Sequence, residues 1–312
     1  MLITLAQAVT RLKAANKILV TAHMQPDGDA IGSTLAAMQI LRSIGKAAQV
    51  YIDDTARKNL QALPHFDEIR RPKDGERFDA DLMLVLDTST DRLGNVRKLT
   101  DAPILNVDHH VTNKGDDGEL YVETNAAATC QIVYKLAREL GAPITPDVAT
   151  CLYTGLATDT GFFQFSNTGA ETLAVASELI NCGVSPNFIS EQLESKSLAE
   201  VHGLRDALNS LKLYYGDKVA GMTLDHATAK KFDSTEGFID EIRVIDTVDV
   251  AFLITEKAPN FCRVSMRSKG VDVSKIAAKL GGGGHLRAAG CTLKTTLAEA
   301  EKILVAAIGE AL

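Results

Sequence analysis

The chain has 312 residues, which is long for a single hydrophobic core, so two domains are expected. Hydrophobic residues make up 46% of it and charged residues 23%, as in a typical globular protein. No apolar run approaches the roughly 18 residues that a membrane-spanning helix needs, so no membrane span is predicted. The formal net charge of −7 excludes a protein that coats nucleic acid over its whole surface, although a local basic patch is compatible with it.

The cysteine pattern and the first residues of the chain help to predict the cellular compartment. The five cysteines, at positions 130, 151, 182, 262 and 291, form no Cys-x-x-Cys pair. An odd number without close spacing favours reduced, buried thiols over a zinc site or a disulfide framework. Thr4-Leu5-Ala6-Gln7 is the pattern of a capping box that opens an amphipathic helix, not that of a signal peptide. We therefore expect a cytoplasmic protein.

Short apolar runs alternate with helical patterns through the first half of the chain. Strands are predicted at 17–22, 48–52, 81–86 and 104–107. A helix is predicted after the first strand, ending at Gly45, and others at about 127–140, 146–158 and 170–181. Residues 161–165 resemble a further strand. This alternation predicts a doubly wound, mainly parallel α/β sheet.

The second half predicts a linker and a smaller domain. Ser185-Pro186 has the pattern of a helix start, and the helical pattern continues to about residue 211. Strands are predicted at 219–224, 250–256 and 261–266, and helices at 273–280 and 297–312. We place the first domain at 1–185, a helical linker at 186–211, and a smaller α/β domain at 212–312.

Acidic and histidine side chains follow the predicted strands of the first domain. In open α/β sheets, ligands bind at the carboxyl ends of the strands. A glycine, Gly28, would let the first of these turns close tightly. The side chains are His23, Asp27 and Asp29 after the first strand, Asp87 after the third, Asp108, His109 and His110 after the fourth, and Asp159 at the end of a later helix.

Each of these positions alone has an ordinary explanation as a turn residue or a helix N-cap. Together they converge on one predicted sheet edge, which favours a binding site. Carboxylates with imidazoles suit manganese, magnesium or similar divalent ions better than a thiolate zinc site. The set is large enough for two metals that share a carboxylate, an arrangement that activates water for in-line phosphoryl displacement.

The second domain contains a local reversal of charge. From Lys257 to Lys294 there are eight lysines or arginines and one acid, Asp272. Four glycines, 281–284, allow a close backbone approach to a ligand and expose N–H groups that can bind an anion. A solvated face would explain the lysines, and a lone glycine run is more often a linker. A phosphate site is the better interpretation because arginines and a histidine accompany the glycines, namely Arg263, Arg267, His285 and Arg287.

These motifs, in this order, resemble the DHH phosphoesterase superfamily, which is named for the triplet seen here as Asp108-His109-His110. The run Gly282-Gly283-Gly284-His285-x-x-Ala288-Ala289-Gly290 resembles the DHHA1 domain. The resemblance covers nearly the whole chain and is strongest to the nanoRNase/pAp phosphatase group. Leu286 and Arg287 stand where many relatives have proline and a small polar residue.

The resemblance implies a role for each candidate residue. It implies two manganese ions, for which magnesium or cobalt would be substitutes. The ligands of one ion would be His23, Asp27 and Asp87, and those of the other Asp29, Asp87, His109 and Asp159. Asp108 would orient a ligand histidine, and His110 would face the scissile phosphate. Arg267 and His285 of the second domain would bind a substrate phosphate, and the basic glycine-rich segment adds Gly283, Gly284, Arg263 and Arg287 as candidate contacts.

The resemblance also implies the substrates, which are very short single-stranded RNAs cut from an end, and 3′-phosphoadenosine 5′-phosphate (pAp). A phosphodiesterase for linear or cyclic dinucleotides is the alternative within this class. A pyrophosphatase fits less well, because the glycine–histidine loop and its basic surroundings suit a nucleotide-sized ligand. The alternative from another class is a catalytically silent nucleic-acid-binding or regulatory module, which has no need of intact metal ligands. No membrane partner is expected, and a homodimer is left open.

Overall fold

The computed structural model describes residues 1–115, 117–232 and 234–312. The chain divides into two compact units, Met1–Ser195 and Lys196–Leu312. Among the described residues, no helix is both long enough and apolar enough to cross a membrane. The five cysteines are free thiols.

The first unit is built on a five-stranded sheet in the order β2-β1-β3-β4-β5. All four pairs of neighbouring strands are parallel. The strands are β1 (Lys17–Thr21), β2 (Ala47–Val50), β3 (Leu82–Leu86), β4 (Ile104–Asp108) and β5 (Glu119–Val122). The helices are α1 (Leu5–Ala14), α2 (Gly28–Ser43), α3 (Thr129–Leu140), α4 (Pro146–Asp159), α5 (Ala170–Asn181) and α6 (Pro186–Glu194).

β3 is apolar along its whole length and β4 is mostly apolar, because both faces of the sheet are covered. Every side chain of β3 and β4 is buried. On one face, Val20, Leu84 and Val107 pack into a core shared with the helices. On the other, Met83 and Val85 pack with residues of short 3₁₀ turns that lie between β3 and β4. This sandwich holds the strand ends rigidly, which is what a precise site at the sheet edge requires.

The second unit contains a six-stranded sheet in the order β10-β11-β9-β8-β7-β6. Only β7 and β8 run parallel among its described neighbours. The strands are β6 (Lys212–Tyr214), β7 (Val219–Leu224), β8 (Val250–Ala258), β9 (Phe261–Ser268), β10 (Gly283–His285) and β11 (Ala288–Leu293). The helices are α7 (Leu198–Asn209), α8 (His226–Ala229), α9 (Asp240–Arg243), α10 (Val273–Lys279) and α11 (Leu297–Gly309). The predicted fold class, a mainly parallel α/β domain followed by a smaller α/β domain, is confirmed.

The helical segment predicted at 186–211 is two helices, α6 and α7, and not one. Ser195 has an extended backbone, with φ −56° and ψ 124°, which ends α6. Ser197 then begins α7 through a capping box with Glu200. The division between the two compact units falls at this break.

The prediction of a strand at 161–165 is wrong. Gly161, Phe162 and Phe163 all have left-handed backbones, with φ of 54°, 55° and 65°. The backbone N–H groups of Gln164 and Phe165 both donate to the carbonyl oxygen of Thr160, which closes a turn at the end of α4. Aromatic residues are common in strands, but here Phe162 and Phe163 pack against the core of the first unit.

The glycine run is not an open loop over its whole length. Gly283–His285 form β10, which pairs antiparallel with β11. A Cβ at position 284 would lie 2.6 Å from the carbonyl oxygen of Ala288, and Gly284 has a φ of +140°. Glycine is therefore needed here for the close approach of two strands as well as for its backbone conformation.

Candidate active site

The predicted acidic and histidine residues lie together at the carboxyl edge of the first sheet. His23 follows β1, Asp87 follows β3, and His109 follows β4. The first turn of α2 and the last residue of α4 bring Asp29 and Asp159 to the same place. Parallel strands place their carboxyl ends on one edge, so the sheet gathers residues that are far apart in sequence.

The side chains form two adjoining groups. The ligand atoms of His23, Asp27 and Asp87 lie within 4.8 Å of one another. The same holds for Asp29, His109 and Asp159. The two groups contain the six predicted metal ligands, and each has an imidazole and two carboxylates.

Asp87 links the two groups. Its Oδ2 is 3.6 Å from Nε2 of His23, and its Oδ1 is 3.4 Å from Nε2 of His109. The residue is 2% exposed and has a left-handed backbone with φ 61°. Aspartate tolerates this conformation better than most residues, and such strain is concentrated at functional sites. One carboxylate thus presents one oxygen to each group.

The two histidines are oriented by backbone carbonyls. Nδ1–H of His23 donates to the carbonyl oxygen of Met24 at 2.8 Å, and Nδ1–H of His109 donates to that of Ala126 at 3.3 Å. A carbonyl can only accept, so the proton of each neutral ring is on Nδ1. Nε2 of each ring then faces the carboxylates, and once its own proton is lost it has the lone pair that binds a metal.

The carboxylates of α2 are held by helix N-termini. Asp27 is the N-cap of α2, where its Oδ1 accepts from the backbone N–H groups of Asp29 and Ala30. Its Oδ2 is left 3.8 Å from Nε2 of His23. Asp29 is fully buried and accepts from the first N–H groups of α3, at Thr129 (2.6 Å) and Cys130 (2.9 Å). Both carboxylates are thereby fixed in orientation.

Close packing of α2 on α4 completes the site. A Cβ at Gly28 would lie 2.5 Å from Oγ1 of Thr158, and one at Gly155 would lie 2.6 Å from Oδ1 of Asp29. Gly28 is the first residue of α2 and has no positive φ. The expectation that Gly28 permits a tight turn is therefore wrong, since glycine is needed there because α4 is so close.

Asp108 contacts His110 rather than the ring of His109. Its Oδ1 accepts from Nδ1–H of His110 at 2.7 Å and from the backbone N–H of His109, also at 2.7 Å. Its Oδ2 accepts from the side-chain amide of Asn113 at 2.7 Å. The contact fixes the ring of His110 and leaves Nε2 as its second polar atom.

The described cluster concentrates negative charge in a buried place. Burial, together with Asp87 and Asp159, raises the pKa of Asp29, and burial raises the pKa of Asp159 to about 6 despite the neighbouring His109. Burial alone would lower the pKa of His23, but Asp87 and Asp27 outweigh it and raise the pKa to about 9. Bringing these buried carboxylates together therefore favours the uptake of protons or the binding of another positively charged species.

The donor set fits divalent metal ions. It consists of carboxylate oxygens and imidazole nitrogens, which suit manganese and magnesium. The ligand atoms are close enough to share an ion within each group. When bound, a pair of such ions supplies Lewis-acid activation of water and of the phosphoryl oxygens.

In the second unit, β9 carries two of the predicted phosphate-binding arginines. Arg263 and Arg267 lie on the same face of the strand, because side chains alternate along it. Burial lowers the pKa of Arg267. Within the described part of the chain, its Nε is buried without a hydrogen-bond partner, while a terminal nitrogen donates to the carbonyl oxygen of Met266. A buried guanidinium with an unused donor suits an anionic ligand.

The other predicted phosphate-binding residues lie at the same end of this sheet. β11 pairs Ala288 with Arg267, and the carbonyl oxygen of Arg287 accepts from the backbone N–H of Ser268. β10, next to β11, carries Gly283, Gly284 and His285, all of them exposed.

The residues that hold the candidate site side chains were not predicted from the sequence. Thr129 donates its hydroxyl to Oδ1 of Asp87 at 3.1 Å, and Asn113 holds Asp108. The side-chain amide of Asn167 donates to the carbonyl oxygens of Ala127 and Asp159. The one signal for them in the sequence is that they are polar and lie near a motif. That signal does not indicate which residues they contact.

Most of the chain is similar to known phosphoester hydrolases. Residues 17–156 match the DHH family N-terminal domain, and residues 216–312 match the DHHA1 domain. The bifunctional oligoribonuclease and PAP phosphatase NrnA of Thermus thermophilus is 34% identical over 278 residues, which are 89% of this chain and 84% of that one. The cyclic-di-AMP phosphodiesterase PdeA of Listeria monocytogenes is 29% identical, over 97% of this chain and 49% of that one.

Among solved structures, an exopolyphosphatase-related protein from Bacteroides fragilis has a TM-score of 0.89 and 25% identity, over 98% of this chain and 95% of that one. The carboxylates and imidazoles at the edge of the parallel sheet could hold divalent ions, and the family match defines the class as metal-dependent phosphoester hydrolases. The chain belongs to the DHH phosphoesterase family and carries the DHHA1 domain as its second part. It is an enzyme that hydrolyses phosphoester bonds.

Proposed function

We propose that the chain is a manganese-dependent enzyme that hydrolyses very short oligoribonucleotides from one end and removes the 3′-phosphate of pAp. The observation that carries the two-metal part of this proposal is the position of Asp87, whose two oxygens face His23 and His109 separately. One ion would be held by His23, Asp27 and Asp87, and the other by Asp29, Asp87, His109 and Asp159.

In this proposal His110 contacts the scissile phosphate. Asp108 holds Nδ1 of the ring at 2.7 Å, so Nε2 is the atom that can donate to a phosphoryl oxygen. The side chain is 24% exposed, whereas that of His109 is 6% exposed. A donor at this position would stabilise charge that develops on the phosphoryl group, or give a proton to the leaving oxygen.

In this proposal the second unit binds a second phosphate of the substrate. The buried Nε of Arg267 supports this assignment, as do the exposed Arg263 and the β10 residues Gly283, Gly284 and His285. Arg287 adds a further cation beside Arg267 along the β9–β11 pair. The proposed division is a catalytic domain at 1–185, a linker at 186–211 and a substrate domain at 212–312.

The oligoribonuclease and PAP phosphatase named in the Thermus relative support the proposed choice of substrates. We also propose that the enzyme acts in the cytoplasm. A phosphodiesterase for linear or cyclic dinucleotides is the second candidate, favoured by the likeness to the Listeria protein. A silent binding module is disfavoured, because every predicted ligand is present in the two metal-binding groups.

A panel of substrates tests the proposal. Purified protein with Mn²⁺ is offered labelled RNAs from dinucleotides to long single strands, duplex RNA, pAp, cyclic dinucleotides and pyrophosphate, and kcat/KM is ranked. We expect the highest values for di- and trinucleotides and for pAp, a steep fall with length, and little activity on duplex. A long strand needs a continuous basic track, which the net charge of −7 does not favour. Equal kcat/KM for a dinucleotide and a long RNA, or a preference for cyclic dinucleotides, would contradict the proposal.

A further inference from the structure

The side chain of Thr129 is fully buried and contacts a proposed metal ligand. Its Oγ1 donates to Oδ1 of Asp87 at 3.1 Å. That oxygen is the one that faces Nε2 of His109, while Oδ2 faces His23. The hydroxyl therefore holds the rotation of the Asp87 carboxylate at which one oxygen faces each group.

The hydroxyl is available because another residue caps the helix. Thr129 is the first residue of α3, and the N-cap, Ala128, has no side chain that can accept. Asp29 takes over the capping role from α2 by accepting from the N–H groups of Thr129 and Cys130. In the first turn, a threonine hydroxyl has no helical carbonyl four residues earlier to bond. It is thus left to make a contact outside its own helix.

The same residue consequently holds one ligand from each group. Its backbone N–H donates to Oδ2 of Asp29 at 2.6 Å, and its hydroxyl donates to Oδ1 of Asp87. Two donors on one rigid helical residue hold these two carboxylates in a fixed relation. Loss of the hydroxyl would free the rotation of Asp87 and leave Asp29 in place.

We propose that Thr129 is a positioning residue that sets the relation between the two metal-binding groups through Asp87, an inference that rests on the proposed two-metal function. It does not touch the substrate. Groups that orient metal ligands typically change metal affinity about 10- to 100-fold when they are removed. When the Thr129 hydroxyl is removed, we expect this loss of affinity for the Mn²⁺ ion that binds second. The ion that binds first would still be held by its other ligands.

The test compares Thr129→Val, which removes the hydroxyl at nearly constant volume, with Thr129→Ser, which keeps it. Thr34→Val is the matched control, since Thr34 is also fully buried but its hydroxyl donates to the carbonyl oxygen of Ala30 within α2. Mn²⁺ is titrated by calorimetry and followed by electron paramagnetic resonance, which distinguishes an exchange-coupled pair from isolated ions. Thr129→Ala replaces the valine variant if that does not fold.

We expect wild type, Thr129→Ser and Thr34→Val to form the coupled pair, and Thr129→Val to show isolated Mn²⁺ with second-ion affinity about 10- to 100-fold weaker. A coupled pair of unchanged affinity in Thr129→Val would overturn the role of Thr129 and leave the two-metal function intact. A wild-type protein that never forms a coupled pair would instead overturn the two-metal function itself. A serine variant as weak as the valine variant would show that retaining the hydroxyl does not preserve the pair, which would also overturn the role assigned to it.

Discussion

Alanine in place of Gly155 would bring a methyl group against a proposed metal ligand. Gly155 is buried in the middle of α4, and a Cβ there would lie 2.6 Å from Oδ1 of Asp29 and still closer to Sγ of Cys130. Asp29 cannot move away easily, because both of its oxygens accept N–H groups of α3. The substitution therefore tests whether the packing of α4 on α2 determines the position of Asp29.

Two opposing effects determine how much Gly155→Ala changes the free energy of unfolding. Alanine is favoured over glycine inside a helix by about 1 kcal/mol. Overpacking a filled interior destabilises by typically 1–3 kcal/mol, and contacts below 3 Å belong at the upper end of that range. We therefore expect a net loss of about 1–2 kcal/mol in the free energy of unfolding of the metal-free protein. Displacement of Asp29 should also weaken Mn²⁺ binding.

Chemical denaturation of the metal-free protein measures the first effect, and calorimetric titration with Mn²⁺ measures the second. Gly270→Ala is the control, because its Cβ would meet nothing within 4 Å and its φ is not positive. That variant should match wild type in both measurements. If Gly155→Ala is as stable as wild type and binds Mn²⁺ with unchanged affinity, the packing argument is refuted.

Three further predictions follow from the two units. His110→Ala should keep near-normal metal content by elemental analysis while kcat falls, since its proposed contact is the transition state; loss of both ions would show that it is a ligand. The pKa is raised to about 9 for His23 and to about 12 for His109, so without metal both rings are positively charged imidazolium groups at neutral pH. Mn²⁺ must displace these protons, so calorimetry should show proton release and an affinity that strengthens as pH rises; binding independent of pH would contradict this. Arg267→Ala should raise KM for dinucleotides and pAp roughly 10- to 100-fold at unchanged metal content, the loss expected for a charge-assisted contact, and unaltered kinetics would exclude a phosphate contact.

The clustering of the candidate residues could be predicted from the sequence to the extent that it depends on strand ends. Asp87 and His109 follow apolar runs, and parallel strands necessarily bring such positions to one edge. The alternation of strands and helices likewise predicted the fold class, because it reflects burial of both sheet faces.

The remaining features depend on contacts between distant segments, which local patterns do not encode. Phe162 and Phe163 favour a strand by propensity, but packing against the core and capping of α4 impose a left-handed turn. The sequence suggests a tight turn as the reason for Gly28, but the structure shows that glycine is needed because Thr158, a residue far along the chain, is so close. The partner of Thr129 is likewise fixed by tertiary packing, so its hydroxyl could not be assigned in advance.

Anomalous diffraction from crystals grown with Mn²⁺ would show whether two ions share Asp87. We expect two manganese peaks per chain. One should lie among His23, Asp27 and Asp87, and the other among Asp29, Asp87, His109 and Asp159, with each oxygen of Asp87 bound to a different ion. A single peak, or two peaks without Asp87 between them, would contradict the shared carboxylate on which the proposed chemistry depends.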